Sequence, residues 1–197
     1  MRKIPSSYEN PLDDLFLDLC ELACPFFSSY NFTPNDITTF SLMFGIISVV
    51  CLYKGYVLNF ALTFFISYFF DCLDGHYARK YNLTTEFGDY YDHVKDAFIL
   101  ILLVCVIFHR YRHCSRKNLK IATIIFVIFL FLTFMHLGCQ EKVYLGNSDT
   151  LGGLKYLCIS NEHIKWSRYF GAGTFNVIFV LLIIYMEQYQ NNNSCQK

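Results

Sequence analysis

The stretch DCLDGHYARKYNLTTEFGDYYDHVKD, residues 71–96, follows fifteen residues, Tyr56–Phe70, that carry no charge. An apolar run of this kind reads as a helix inside a membrane, and the sudden carboxylates mark where the helix leaves it. Asp71 and Asp74 are three residues apart and share one helix face. Gly88, Asp92 and Asp96 recur every four residues and share a face of the next helix. Two antiparallel helices can therefore aim four carboxylates at one point. That concentration is costly at the mouth of a bundle unless it is neutralised, and Arg79 and Lys95 are the obvious local cations. Divalent ions would balance the remainder. Hard oxygen ligands without a Cys or His pair favour Mg²⁺ or Mn²⁺ over zinc, and two such ions clamp the attacking and leaving oxygens of a phosphoryl transfer. Gly75 and Ala78 leave room for a bulky ligand against the backbone, and Arg79 can hold phosphate oxygens in a fork.

The composition around this stretch agrees with a membrane setting. Of the 197 residues 54% are hydrophobic and only 16% charged, against roughly 25% charged in ordinary soluble domains. Strongly apolar stretches lie near Ile37–Tyr53, Tyr56–Phe70, Ala97–Phe108, Ile121–Leu137 and Phe175–Met186, and their lengths suit membrane helices once weakly polar flanks are added. The fold class expected is all-α: a polytopic membrane bundle of about six transmembrane helices, with the sixth sought in residues 138–168, around Leu151–Ser160. No basic tract with interleaved aromatics suggests nucleic acid as a partner, and no apolar core follows the basic pair Arg2-Lys3 as in a cleaved signal peptide.

Residues 11–27 place Leu12, Leu15, Phe16, Leu19 and Leu22 opposite Asp13, Asp14, Asp18 and Glu21, the pattern of an amphipathic helix at the interface. Pro34 then stops the earlier helix, and Asn35 or Asp36 is expected to cap the first span. The link Lys54-Gly55 is so short that the second span must run antiparallel to the first, which brings Asp71 back beside Asn35 and Thr38. The expected domains are a juxtamembrane segment (1–33), a membrane domain (34–190) and a polar tail (191–197). Assigning 1–36, 71–96 and 138–168 to one side collects nine Lys/Arg there against six on the other, while the short loop holding Arg110, Arg112, Arg116, Lys117 and Lys120 argues the other way; the motif side is expected in the cytosol. Asn31 and Asn82, both in N-x-S/T sequons, then stay unmodified. The nine cysteines read as small hydrophobic fillers.

The pattern D-x2-D-G-x2-A-R-x8-G-x3-D-x3-D resembles the signature of the CDP-alcohol phosphotransferase (class-I phosphatidyltransferase) family. Every fixed position is present: Asp71, Asp74, Gly75, Ala78, Arg79, Gly88, Asp92 and Asp96. The stretch TPNDIT (33–38) is similar to the approach to that family's first membrane helix. The resemblance implies a six-helix bundle that binds a CDP-linked donor through two metal ions, Mg²⁺ or Mn²⁺. It implies that Asp71, Asp74, Asp92 and Asp96 hold the metals and that Asp96 is also the catalytic base. Gly75, Ala78 and Arg79, with Thr85, Asn35 and Thr38, would meet the nucleotide. The partners implied are a CDP-linked lipid donor and a small alcohol acceptor, in an assembly that admits a homodimer.

Within that chemistry the expected reaction is phosphatidyl transfer from CDP-diacylglycerol to an inositol-type or glycerol-phosphate-type alcohol, with release of CMP. The alternative is a choline or ethanolamine phosphotransferase, because FGDYYDH (87–93) looks somewhat like the corresponding segment of those enzymes. A divalent-cation transporter is a reading from another class, which Gly75, Ala78 and Arg79 count against because a cation path has no use for them. Lys155, Lys165 and Arg168 read as interfacial anchors before they read as an anion site, and His136 as a hydrogen-bonded group between helices. The glycines of GAGTFN (171–176) read as a close helix contact.

Overall fold

A computed structural model describes residues 4–112, 116–145 and 152–192. Every regular element among them is helical: α1 (Pro11–Ser29), α2 (Pro34–Lys54), α3 (Val57–Lys80), α4 (Glu86–Tyr111), α5 (Arg116–Gln140), the single turn α6 (Ile164–Ser167) and α7 (Ala172–Asn192). The all-α membrane bundle read from the sequence is the fold observed. Four helical stretches are long and apolar enough to cross a membrane: Pro34–Lys54, Val57–Lys80, Leu119–Val143 and Asn161–Gln190. Helix α4 carries the fifth apolar run, with Lys95 and Asp96 at one end of it and Arg110 at the other. Residues 138–168 hold no further long helix among the described residues. Helix α5 ends at Gln140, a five-residue π turn spans Glu141–Leu145, and a six-residue 3-10 turn, Gly152–Leu157, stands where a short membrane helix was sought.

The chain divides into two compact units. The motif unit comprises Phe16–Ser115 with Ile183–Lys197. Its first span begins at Thr33, not at Asn35 or Asp36. The Thr33 hydroxyl accepts from the Asp36 N–H at 3.2 Å while the Asp36 carboxylate accepts from the Thr33 N–H at 2.8 Å, and Pro34 fills the first helical position. Gly55, at φ 84°, ends α2 in the left-handed conformation that a side chain would resist, and its N–H reaches back to Cys51 and Leu52. Small residues let α2 and α3 approach: Ser41 and Ser67 exchange hydroxyl-to-carbonyl bonds at 3.0 and 2.8 Å. A Cβ on Gly45 would come within 3.0 Å of Ile99 on α4 and 3.2 Å of the Ser67 hydroxyl.

Helix α1 matches the amphipathic helix expected over 11–27, and its packing face sets small residues between Phe16 and Phe27. Cys20 and Cys24 are wholly buried against Ile37, Leu73 and Tyr77. Burial pushes the Cys20 thiol up to about 12, and the Cys24 thiol rises for the same reason. The stripe Leu19, Leu22, Phe26 and Tyr30 stays exposed on the opposite side. At the far end of α4, Arg110 makes two bonds to the Glu187 carboxylate, at 2.6 and 2.7 Å, and the Tyr111 hydroxyl adds a third at 3.0 Å.

The second unit comprises Arg2–Leu15 and Arg116–Leu182. A chain of buried polar groups runs through it beside an apolar cluster of Cys139, Cys158 and Ile164. The Asn10 amide, fully buried, donates to the Arg168 carbonyl at 2.6 Å and the Thr174 hydroxyl at 2.8 Å, and its carbonyl accepts from the Leu12 N–H at 3.0 Å. His136 lies 3.1 Å from the Ser167 hydroxyl and 2.9 Å from Gln140, whose amide donates to Glu9 at 3.1 Å. The close contact read into GAGTFN is present, since a Cβ on Gly171 would lie 2.7 Å from that of Asn10, and one on Gly173 2.8 Å from that of Leu12. The cysteines are not all fillers: Cys139 and Cys158 form a disulfide that ties the end of α5 to the turns after it. The pair is 19 residues apart, and only the tertiary fold shows that the two meet.

Candidate active site

The last turns of α3 and the first of α4 are joined by Tyr81–Thr85. Asn82 takes φ 56°, a conformation that asparagine tolerates better than most residues. The Leu83 N–H bonds back to the Ala78 carbonyl at 2.8 Å, which turns the chain sharply. Thr85 caps α4 by accepting from the Gly88 N–H at 3.0 Å. Helices α3 and α4 both pack on α2, and the Asp71 side chain meets those of Asp92, Lys95 and Asp96.

Carboxylate oxygens of Asp71, Asp92 and Asp96 all lie within 4.8 Å of one another. Lys95 is seated among them. Its ammonium pairs with Asp71, with Asp92 at 2.8 Å and with Asp96 at 3.0 Å, and lies 3.4 Å from the Ser41 hydroxyl. The lysine side chain is 2% exposed, whereas the Asp71, Asp92 and Asp96 side chains are 29%, 33% and 61% exposed. The cation thus sits beneath the trio, and the acids open outward. Asp74, the fourth expected carboxylate, is buried and accepts a 2.6 Å bond from the Thr38 hydroxyl. Thr38 also bonds the Pro34 carbonyl at 3.1 Å, which ties Asp74 to the start of α2.

The residues expected around a nucleotide fall into two places. Asn35 and Thr85 meet at Gly88, where an added Cβ would be 3.2 Å from the Asn35 amide oxygen and 3.0 Å from the Thr85 hydroxyl. Gly75 is covered by Arg79, whose guanidinium would stand 3.0 Å from a Cβ there, and Ala78 is buried one turn along. The small residue at 75 therefore accommodates the arginine of the same motif. Of the flanking histidines, His93 is exposed and bonds the Asp89 carbonyl at 2.8 Å, while His76 is buried and turned toward α1.

Two contributions were not assigned from the sequence. The sequence marks Lys95 as one nearby cation, and in the structure it is the hub of the cluster, a role consistent with its i, i+3 spacing from Asp92. Glu21 on α1 reaches His76 and Lys80 at the motif, a contact with no signal in the sequence beyond an acidic helix face.

The site thus presents hard oxygen ligands around a cation position where the apolar helix α3 ends and α4 begins. The trio fits a divalent ion by donor chemistry and spacing, since three carboxylates share one ammonium and two negative charges stay unbalanced among those four groups.

These features define an acidic site with room for a cation at the end of an apolar helix in an all-α membrane protein. The profile of the CDP-alcohol phosphatidyltransferase family matches residues 31–193, and the chain belongs to that family. Its members move a phosphatidyl group from a CDP-alcohol and generally use divalent metal ions. An uncharacterized protein of Aquifex aeolicus (strain VF5) is 36% identical over 88 residues, a match that covers 44% of each chain, so the chain spans less than half of that relative's length. No solved structure matches the chain.

Proposed function

We propose that the chain transfers a phosphatidyl group from CDP-diacylglycerol to a small alcohol of the inositol or glycerol-phosphate type, with release of CMP. The observation that carries this reading is the outward-facing trio Asp71, Asp92 and Asp96 over a buried Lys95. In this reading Asp71, Asp74, Asp92 and Asp96 hold two Mg²⁺ or Mn²⁺ ions, which supply neutralisation of the diphosphate and polarisation of its phosphorus–oxygen bonds. Thr38 orients Asp74. Arg79 forks onto phosphate oxygens beside Gly75 and Ala78, and Asn35 and Thr85 line the nucleotide side at Gly88.

Asp96, the most exposed of the trio, takes the proton from the acceptor hydroxyl as its oxygen bonds to the phosphorus that bears the diacylglycerol. The bond from that phosphorus to the oxygen shared with cytidine monophosphate breaks, and CMP leaves with the electron pair. Positioning and charge stabilisation supply most of the rate enhancement, as in phosphoryl transfer generally. A site at the end of an apolar helix suits such a donor, whose head group is wet while its acyl chains stay in lipid.

The test is CMP release by purified protein with Mg²⁺, from CDP-diacylglycerol against inositol, glycerol 3-phosphate, serine and inositol phosphate, with Asp96→Asn as control. Acceptor-dependent release that is lost in the control supports the reading and identifies the alcohol. Release only from CDP-choline with diacylglycerol moves the chain to the amino-alcohol branch, and silence with both donors in folded protein overturns the enzymatic reading. We place the motif end at the cytosolic surface on the nine-to-six distribution of basic residues; the cluster Arg110, Arg112, Arg116, Lys117 and Lys120 and the Cys139–Cys158 disulfide, a bond that persists in oxidising compartments, count against that placement. Glycosylation at Asn31 or Asn82 in a eukaryotic host would overturn that placement.

A further inference from the structure

The reverse face of the motif turn is held by one acidic residue from another helix. His76 and Lys80, one turn apart on α3, point away from Asp71 and Asp74 and toward α1. There Glu21 receives both: its Oε2 is 2.6 Å from His76 Nε2, and its Oε1 is 2.5 Å from Lys80 Nζ. His76 is 2% exposed and Lys80 partly buried. Of their helical neighbours, Ala78 lies on the opposite side of the same turn, and Gly75 and Arg79 lie between the two sides.

The rest of the contact leaves α1 little freedom to shift. Cys20 and Cys24 are 0% exposed against Leu73 and Tyr77, the Cys20 thiol lies 3.9 Å from the Phe69 carbonyl, and Phe16 packs edge-on to Tyr68 at 5.1 Å. The Tyr77 hydroxyl bonds the Phe32 carbonyl just after α1, at 2.9 Å. Helix α1 therefore follows α3 from Tyr68 to Lys80. Glu21 provides the ionic contact at the end of that seam, where α3 would otherwise fray toward the Tyr81 turn.

We propose that Glu21 is a positioning residue for the transfer site: by holding His76 and Lys80 it fixes the α3 turn that presents Gly75, Ala78 and Arg79 to the donor. The proposal rests on the reaction assigned above. An isolated exposed ion pair contributes little. Glu21 differs because both its oxygens are used and one of its partners is buried. Its hydrogen bonds to Lys80 and then His76 hold its carboxyl down at about 2, so it stays ionised throughout the working range. The exposed stripe Leu19, Leu22, Phe26 and Tyr30 on the outer side of α1 makes this an interfacial helix joined to the motif.

The experiment uses full-length protein in lipid nanodiscs, comparing wild type with Glu21→Ala, Glu21→Gln and Lys80→Ala. Two readouts are taken: kcat and KM for the CDP-linked donor, and amide hydrogen exchange of the α3 peptide that contains residues 74–81. Glu21→Ala is expected to raise the donor KM about tenfold with kcat changed less than about threefold, and to speed exchange of that peptide by about tenfold. Glu21→Gln, which keeps an oxygen acceptor, recovers part of both effects. Lys80→Ala combined with Glu21→Ala adds less than the two single effects together.

A fall in kcat with unchanged KM, the signature of a smaller folded fraction, overturns the positioning role. Faster exchange with unchanged KM does so as well. Unchanged exchange overturns the clamp itself, whatever the kinetics. If the wild type turns over no CDP-alcohol, the reaction reading fails, and exchange still decides whether Glu21 fixes the turn.

Discussion

The motif unit and the second unit both bury polar groups, but they satisfy them in opposite ways. In the second unit Asn10, Thr133, His136 and Ser167 are at most 5% exposed, and each has partners of its own. Those bonds run between neutral groups or to backbone, the network reaches a carboxylate at Glu9, which accepts from Gln140, and a disulfide closes the region. In the motif unit Asp71, Asp92 and Asp96 share the single ammonium of Lys95. The far end of α4 shows that the same unit can also pair charge one to one, since Arg110 meets Glu187 with two bonds. Buried polarity that closes on itself holds a fold. Carboxylates left short of countercharge and open to solvent are available for chemistry.

The sharpest way to break this contrast is Asp96→Asn. If the trio is a reactive site, activity falls roughly 10³-fold, about 4 kcal/mol of transition-state stabilisation. Removal of one of three crowded like charges leaves stability unchanged or higher. Kinetics and a thermal melt on the same preparation check both halves. A variant that loses activity only in proportion to lost folded protein would make the trio structural, like the network in the second unit.

The disulfide comes next. Replacing Cys139 and Cys158 by serine frees a loop whose ends are 19 residues apart and costs about 3 kcal/mol. Unfolding in the presence and absence of reductant gives the difference in wild type, and the double variant loses that sensitivity. The expected cost is in stability, in contrast to Asp96→Asn.

Asn10→Ala tests whether the second unit's polar network is as self-contained as its distances suggest. The substitution removes two donated bonds and the acceptor for the Leu12 N–H, with an expected cost of about 2 kcal/mol. A cost near zero would mean that water or a neighbour replaces these bonds and that the network is not closed.

The parts legible from sequence were those fixed by helical period. Spacings of three and four place Asp71 with Asp74 and Gly88 with Asp92 and Asp96, whatever the rest of the chain does. The amphipathic pattern of 11–27 gave α1 nearly to its ends. The Thr33 cap is present in the sequence as T-x-x-D, although Asn35 and Asp36 are equally good capping residues by type. Features that depend on contacts between distant segments were not legible. Nothing in the motif announces that Asp74 turns to Thr38, 36 residues away, and leaves three carboxylates in the cluster. The pairing of Cys139 with Cys158 and the short turns between α5 and α7 likewise depend on packing that the sequence pattern does not encode.

The smallest expected effect concerns acid, and it separates Glu21 from the trio. Lys80 and His76 on α3 face the Glu21 carboxylate, and Cys24 lies on its own helix. Hydrogen bonds from Lys80 and then His76 lower its folded-state value from 4.5 to about 2. A carboxylate with a lowered folded-state value contributes stability that is fully present above its unfolded value and is lost as pH falls through the folded one. The contribution of Glu21 should therefore be constant from neutral pH to about 4.5 and disappear between there and about 2. Because the Glu21 side chain is half exposed, solvent screens the effect and it stays small. The measurement is the difference in melting temperature between wild type and Glu21→Gln across that range. A difference that is flat to pH 5 and then closes supports an ionic hold on the motif turn. One that persists unchanged at pH 3 would mean that the hold does not depend on the charge of Glu21.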